Sequence, residues 1–156
     1  MRRLSRGRVA GVLLNAARIG QAQAFFGNVY EAVVRVPHIF AESRALAGDS
    51  PFRRGSPTVY FVPAGPVTLA ASIGALAVGG HDRRWLAAST GATVAAGTLT
   101  AYVVTKVNTP LLLAETEPTP DQKAALLRRW YRLNAARIAL VGAAWYAAER
   151  ARAAKS

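Results

Sequence analysis

Two long stretches of this chain carry no ionisable charge: Thr58–Gly80 and Trp85–Thr105. A helix of about 20 residues crosses a hydrocarbon layer of ~30 Å, so stretches of this length are expected to span a membrane. A first helix is expected at about Val9–Phe40, longer than the hydrocarbon layer is thick, and the membrane part of the fourth near Tyr131–Ala148. With 156 residues, the chain has room for one domain and little beyond these segments. The expected fold is all-α: a four-helix transmembrane bundle, up-down-up-down, in one integral membrane domain over residues 1–156. Its helices are expected at about 9–40, 58–79, 84–107 and 121–151.

The formal net charge of +12 raises nucleic acid as a partner. The basic residues, however, cluster at the ends of the apolar runs, in Met1–Arg8, His81–Arg84 and Arg128–Arg132. Lys and Arg at such places serve topology and snorkelling, so no nucleic-acid partner is expected. The basic N-terminus sets the expected orientation: both termini cytoplasmic, in a multi-pass cell-membrane protein whose surroundings are the lipid bilayer. The start of the chain also has the look of a signal peptide, with Ala22-Gln23-Ala24 as a cleavage-like triplet. Arg18 and Gln21 interrupt the approach to it, so cleavage is not expected.

Local signals mark the breaks. Pro37 is expected to bend or end the first helix. Gly48-Asp49-Ser50-Pro51 and Arg54-Gly55-Ser56-Pro57 are turn chemistry, and Gly79-Gly80-His81-Asp82 reads as a tight turn. Pro63 and Pro66 are expected to kink the second helix. Ala87, Gly91 and Ala95 share one small-residue face, and Ala92 and Ala96 another; such faces permit close helix approach or self-association. Asn108-Thr109-Pro110 is expected to break or kink the third helix. Thr119 with Pro120 reads as the capped start of the fourth. The tail Glu149–Ser156 is expected to fray.

Several chemistries are excluded. Without cysteine there are no disulfides, thiolate nucleophiles or Cys-bound metals. Two histidines, His38 and His81, expected at opposite ends of the bundle, do not make a haem or di-iron centre. There is no Gly-rich phosphate loop and no Ser-His-Asp arrangement. Neither a metal nor a cofactor is expected.

The polar residues of the first helix are patterned. Gln21, Asn28 and Arg35 are seven apart on one stripe, and Glu31 and His38 are seven apart on the next. At 100° per residue these five fall within about 100° of one another, so that face is expected to point into the bundle. Glu31 and Arg35, at i and i+4, are placed to form an ion pair. On the fourth helix Trp130, Asn134 and Arg137 share a face. With alternating helix direction, Glu31, Arg35, His38, Tyr60, Lys106, Asn108, Trp130, Asn134 and Arg137 are expected in the same half of the bundle. Each has a plainer reading: a structural ion pair, a snorkelling Lys106, an interfacial Trp130 and Tyr131, a solvated His38.

Lys106-Val107-Asn108-Thr109-Pro110-Leu111, a short acidic loop, and Arg129-Trp130-x3-Asn134-x2-Arg137 together resemble the C-terminal half of the anthrone oxygenase family. Gly27-Asn28-Val29-Tyr30-Glu31 and Val36-Pro37 match its N-terminal half more loosely. Members are small four-helix membrane proteins. The resemblance implies oxidation of a polycyclic phenol, an anthrone, by O₂ without metal or flavin. It implies a base, Glu31, that deprotonates an activated carbon, and a cation, Arg137 or Lys106, that stabilises the oxyanion. Asn108 or Asn134 would hydrogen-bond the same oxygen. Glu31, Arg137, Asn108 and Asn134 are thus the candidate catalytic residues. Asn28, Tyr30, Arg35, Lys106 and Trp130 are the candidate ligand contacts for a hydrophobic aromatic substrate. The chain departs from the pattern at Asn134, where many members carry His. Asn cannot take a proton, which moves any acid–base role to Glu31.

Two other readings fit the residues. One is a non-catalytic membrane protein that binds a lipid-like ligand or serves as a subunit of a membrane complex. The other is a small transporter relaying protons through Glu31.

Overall fold

The structure, a computed structural model, describes residues 5–43, 57–114 and 116–154, with side chains described for all of these except 43, 57–62 and 113. The turn chemistry expected at Gly48–Ser56 lies outside them. Five α-helices follow in order: α1 Arg6–Val33, α2 Val36–Ser43, α3 Pro57–Val78, α4 Arg83–Val103 and α5 Pro120–Ala153. A π-helical segment, Val104–Leu113, continues α4.

The helix ends follow local chemistry. Gly79 and Gly80 take φ of 74° and 89°, which lets the chain reverse after α3. The Asp82 carboxylate then accepts from the backbone N–H groups of Arg84 at 2.9 Å and Trp85 at 3.4 Å, capping α4. Thr119 caps α5 in a reciprocal box with Gln122, and Pro120 fills the first helical position.

The long first helix expected over 9–40 is two helices. The chain breaks at Val34–Arg35, where Arg35 has φ 59°. Pro37 sits in the first turn of α2, where its missing N–H costs nothing, so the break falls just before it. The third helix does not stop at Asn108-Thr109-Pro110 either. It widens into the π form through Pro110, with the Thr109 hydroxyl donating to the Val104 carbonyl five residues back at 2.9 Å. A wider turn relieves the clash of a proline ring with the preceding carbonyl. At the other end of the chain, the expected fraying from Glu149 is not seen: α5 holds to Ala153.

α1, α3, α4 and α5 run antiparallel in sequence order, and α2 continues along α5 in the direction of α1. α1 packs on α3 and α5, and α4 packs on the same two. One end of the bundle is filled by Leu14, Ala75, Leu86, Ala148 and Ala151. The other is filled by Val103, Val107 and Trp130, and by Ala41, Leu111 and Leu127 beneath α2. The Lys123 ammonium donates to the Ala41 carbonyl at 2.8 Å, tying α2 to α5.

Of the small residues expected to allow close helix approach, Ala96 is buried and Ala92 half-buried. Ala87, Gly91 and Ala95 are exposed. The tight contact is at Gly20 on α1: a Cβ there would lie 2.9 Å from Thr68 Cβ of α3, and closer still to its hydroxyl.

The transmembrane expectation is overturned. Among the described residues, no helix is long and apolar enough to cross a membrane. The four-helix transmembrane bundle, the cytoplasmic placement of its termini and the multi-pass cell-membrane localisation therefore do not stand. The physical reason is that freedom from charge is not apolarity. The α4 stretch is built largely of Ala, Gly, Ser and Thr, whose burial gains little. α1 carries Arg18, Gln21, Asn28 and Glu31 along its length, and α5 is rich in Arg. The interior is correspondingly mixed. Gln21, Asn28, Ser72, Ser89, Asn134 and Arg137 are buried, while Val12, Ile19, Phe26 and Val33, seven apart on α1, are exposed.

Candidate functional site

Antiparallel packing of α1 on α5 sets Asn28 and Glu31 against Asn134 and Arg137. Asn28 joins the two helices. Its side-chain oxygen accepts from Arg137 Nη2, and its backbone carbonyl accepts from Asn134 Nδ2 at 2.9 Å. The same Arg137 Nη2 lies 3.4 Å from Glu31 Oε2. The side chains of Arg137 and Glu31 are only 8% and 15% exposed, so this is an ion pair held largely out of water.

Burial governs its electrostatics. It pushes the Glu31 carboxyl above the ordinary carboxylate range, against the charge and the hydrogen bond of Arg137. It likewise pulls Arg137 below the usual guanidinium range, against Glu31. Glu31 is therefore a stronger base than a surface carboxylate, and it stands beside a cation with a further donor to offer. Among the described residues, Asn134 Oδ1 and Arg137 Nε are buried with no hydrogen-bond partner.

Of the residues expected at the site, the structure brings together Asn28, Glu31, Asn134 and Arg137. Trp130 lies one turn before Asn134, buried against Val103 and Val107. Its ring meets Tyr131 edge-on, and the Tyr131 hydroxyl is hydrogen-bonded to His38 Nδ1 at 3.1 Å. Tyr30 is 62% exposed, and Arg35 and Lys106 are exposed. Asn108 is half-buried on the π-helical segment, and among the described residues neither it nor Lys106 bonds to Glu31 or Arg137. The side chain of Tyr60 lies outside those described. The Glu31–Arg35 ion pair expected from i, i+4 spacing is replaced by Glu31–Arg137. The helix ends at Val33, and the left-handed conformation of Arg35 carries its side chain off the helical line.

Two further polar clusters are prominent. Gln21 reaches across the bundle from α1, its amide nitrogen donating to Ser89 Oγ at 2.9 Å and Thr93 Oγ1 at 3.0 Å of α4, with Ser72 Oγ of α3 at 3.5 Å. Sequence reasoning put Gln21 on the inward stripe but missed its partners. Ser and Thr in uncharged runs attract no notice, because their hydroxyls can return to the carbonyl one turn back. Ser72 and Thr93 do so, each at 2.8 Å.

The other cluster is Arg18 with Glu149. The guanidinium donates twice to Glu149 Oε1, to which Trp145 Nε1 also donates at 3.2 Å. Opposite charges at matching heights of the first and last helices would have disclosed it. A shallow hollow of about 550 Å³ is lined by Glu149, Arg150, Arg152 and Ala153. It lies more than three turns of α5 from Arg137 and shares none of the site residues.

Set against known protein families, curated proteins and solved structures, the chain matches none.

Proposed function

We propose that the chain is an oxygenase of the anthrone type, acting without a metal or flavin on a polycyclic aromatic ketone. The observation that carries this reading is the buried Glu31–Arg137 pair, bracketed by Asn28 and Asn134. Glu31 takes a proton from the activated methylene carbon, and the negative charge moves onto the ketone oxygen. Arg137 stabilises that oxyanion through a donor its own partners leave free. The enolate reduces O₂, and a C–O bond forms to give a peroxide that recovers the proton from Glu31. Loss of water from the hydroperoxide, with removal of the second methylene hydrogen, leaves the quinone. One O₂ is consumed and one water released per ketone.

The test is O₂ uptake by the purified chain with anthrone. One O₂ per anthrone is expected, with the rate reduced at least about 100-fold in Glu31→Gln, the usual scale of a lost general base. No uptake above the spontaneous rate, across a panel of anthrones and hydroquinones, would remove the reading.

A second reading, a non-catalytic subunit of a larger assembly, is favoured by the exposed Val12, Ile19, Phe26 and Val33 of α1. Apolar stripes of that kind mark interaction surfaces. It predicts that the chain alone sediments as an ill-defined aggregate; a well-behaved monomer would count against it.

A further inference from the structure

The outward face of α1 carries a pattern that the core does not use. Ala10, Leu14, Ala17, Gln21 and Asn28 are the side that faces the bundle. On the opposite side Val12, Ile19, Phe26 and Val33 repeat every seven residues and are 60%, 70%, 59% and 75% exposed. Between them Val9, Ala16, Gln23 and Tyr30 also repeat every seven; Tyr30 is 62% exposed and the others half-buried. The two sets alternate in steps of three and four, as the a and d positions of a heptad do. At 100° per residue all eight stay within about 120° of one another. Strict alternation of this kind makes the narrow seam of two paired helices. None of its positions is charged, in a chain whose net charge is +12.

The seam complements its own copy turned end for end. With the two-fold axis level with Gln21, each a position meets a d position. Val9 then faces the partner's Val33, Val12 the partner's Tyr30, Ala16 the partner's Phe26 and Ile19 the partner's Gln23. Both aromatic rings meet smaller side chains, the interdigitation that close packing needs. In a parallel pair Phe26 and Tyr30 would each meet their own copies, and the Ala16 layer would be left underfilled. Reversal also opposes the helix dipoles. It places the basic N-termini, with Arg6 and Arg8, at opposite ends, each level with the exposed Arg35 of the partner subunit. We propose that the chain forms an antiparallel homodimer through this face of α1. A two-fold contact uses the same patch on both copies, so assembly closes at two and leaves no stripe for a larger complex. The dimer goes beyond the oxygenase reading and is independent of it, since none of Asn28, Glu31, Asn134 and Arg137 lies on the seam.

Sedimentation of the full chain over a micromolar concentration series tests it, with a reversible dimer expected. Ile19→Lys with Phe26→Lys should give a monomer of unchanged helicity, because both side chains point away from the core. The direction of pairing has its own readout, since the chain has no cysteine. Ala16→Cys and Phe26→Cys, mixed and oxidised, should form a disulfide between the two variants, and neither alone should link to itself. In the antiparallel pair each cysteine lies about ten residues, ~15 Å, from its own copy, whereas a disulfide needs Cα atoms within about 7 Å. A monomer throughout the series, an open-ended aggregate, or a dimer that survives the lysine pair would overturn the proposal. So would self-linking by each cysteine variant with no link between the two. Dimer formation without O₂ uptake would leave the seam standing and remove the oxygenase; uptake by a monomer would do the reverse.

Discussion

Replacing Arg137 by Leu deletes the cation facing Glu31 while keeping most of the apolar volume. The Glu31 carboxylate, 15% exposed, then has no countercharge, and the Asn28 side-chain oxygen loses its donor. Removing one member of a buried ion pair costs about 3–5 kcal/mol, and the residual exposure of Glu31 places this case near the lower end, about 3 kcal/mol. The double variant Glu31→Gln, Arg137→Leu removes both charges. It is expected to lie within about 1 kcal/mol of the wild type, leaving a coupling of at least about 2 kcal/mol in a double-mutant cycle, to which any cost of Glu31→Gln alone adds. Denaturant unfolding of the four proteins measures this. The pH dependence has a definite sign. Burial raises the folded-state pKa of Glu31 above its ordinary 4.5, so the folded chain holds that proton more tightly than the unfolded one. The stability linked to Glu31 is thus fully present below 4.5 and is lost as pH rises through the raised folded value. Deleting Arg137 removes the influences that oppose the rise and widens that window. The Arg137→Leu deficit should therefore shrink on acidification and be pH-independent in the double variant. A single-variant deficit that stays constant from neutral pH to 4.5, or a double variant as unstable as the single, would refute the buried, coupled pair.

Three further outcomes are expected. Glu149 has the opposite pH signature: desolvation raises its pKa, but Arg18, Trp145 and Arg152 together hold it below the ordinary 4.5. Its stabilising contribution is present above 4.5 and lost as pH falls through the lower folded value, so Glu149→Gln should flatten the acid limb of the stability profile. Gly20→Ala should cost about 1–3 kcal/mol through overpacking against Thr68, and Gly20→Ala with Thr68→Ala should recover most of it; equal melting temperatures for wild type and Gly20→Ala would contradict the close approach. Arg35→Gly should raise stability by about 0.5–1 kcal/mol, since a non-glycine residue in the left-handed region costs roughly 1–2 kcal/mol and the added freedom of the unfolded chain offsets part of the gain. Loss of stability there would mean that the Arg35 side chain has a structural role.

Much of the secondary structure was legible residue by residue. Thr119 and Pro120 announced the start of α5, and Gly79, Gly80 and Asp82 the turn into α4, because caps and positive-φ turns depend on neighbours in sequence. The inward stripe of α1 was legible too, since a helical period places Gln21, Asn28 and Glu31 whatever they meet. Alternating helix direction then sufficed to bring the Glu31 end of α1 near the Arg137 end of α5. The membrane reading fails on a different point: Trp85–Thr105 lacks charge, but its Ala, Gly, Ser and Thr supply little apolarity.

The chain by itself determined that the fold is helical, where several helices begin, and that α1 must hide a polar face, because these follow from local sterics and periodicity. Only the tertiary structure decided that Glu31 faces Arg137 and not Arg35, that Glu149 is held by Arg18, and that Asn134 and Arg137 each keep a polar atom unmet among the described residues. Pairing across helices depends on the register of α1 against α5 and on a two-residue break at Val34–Arg35. A shift of one residue turns a side chain by about 100°, and no pattern within a single helix contains that information.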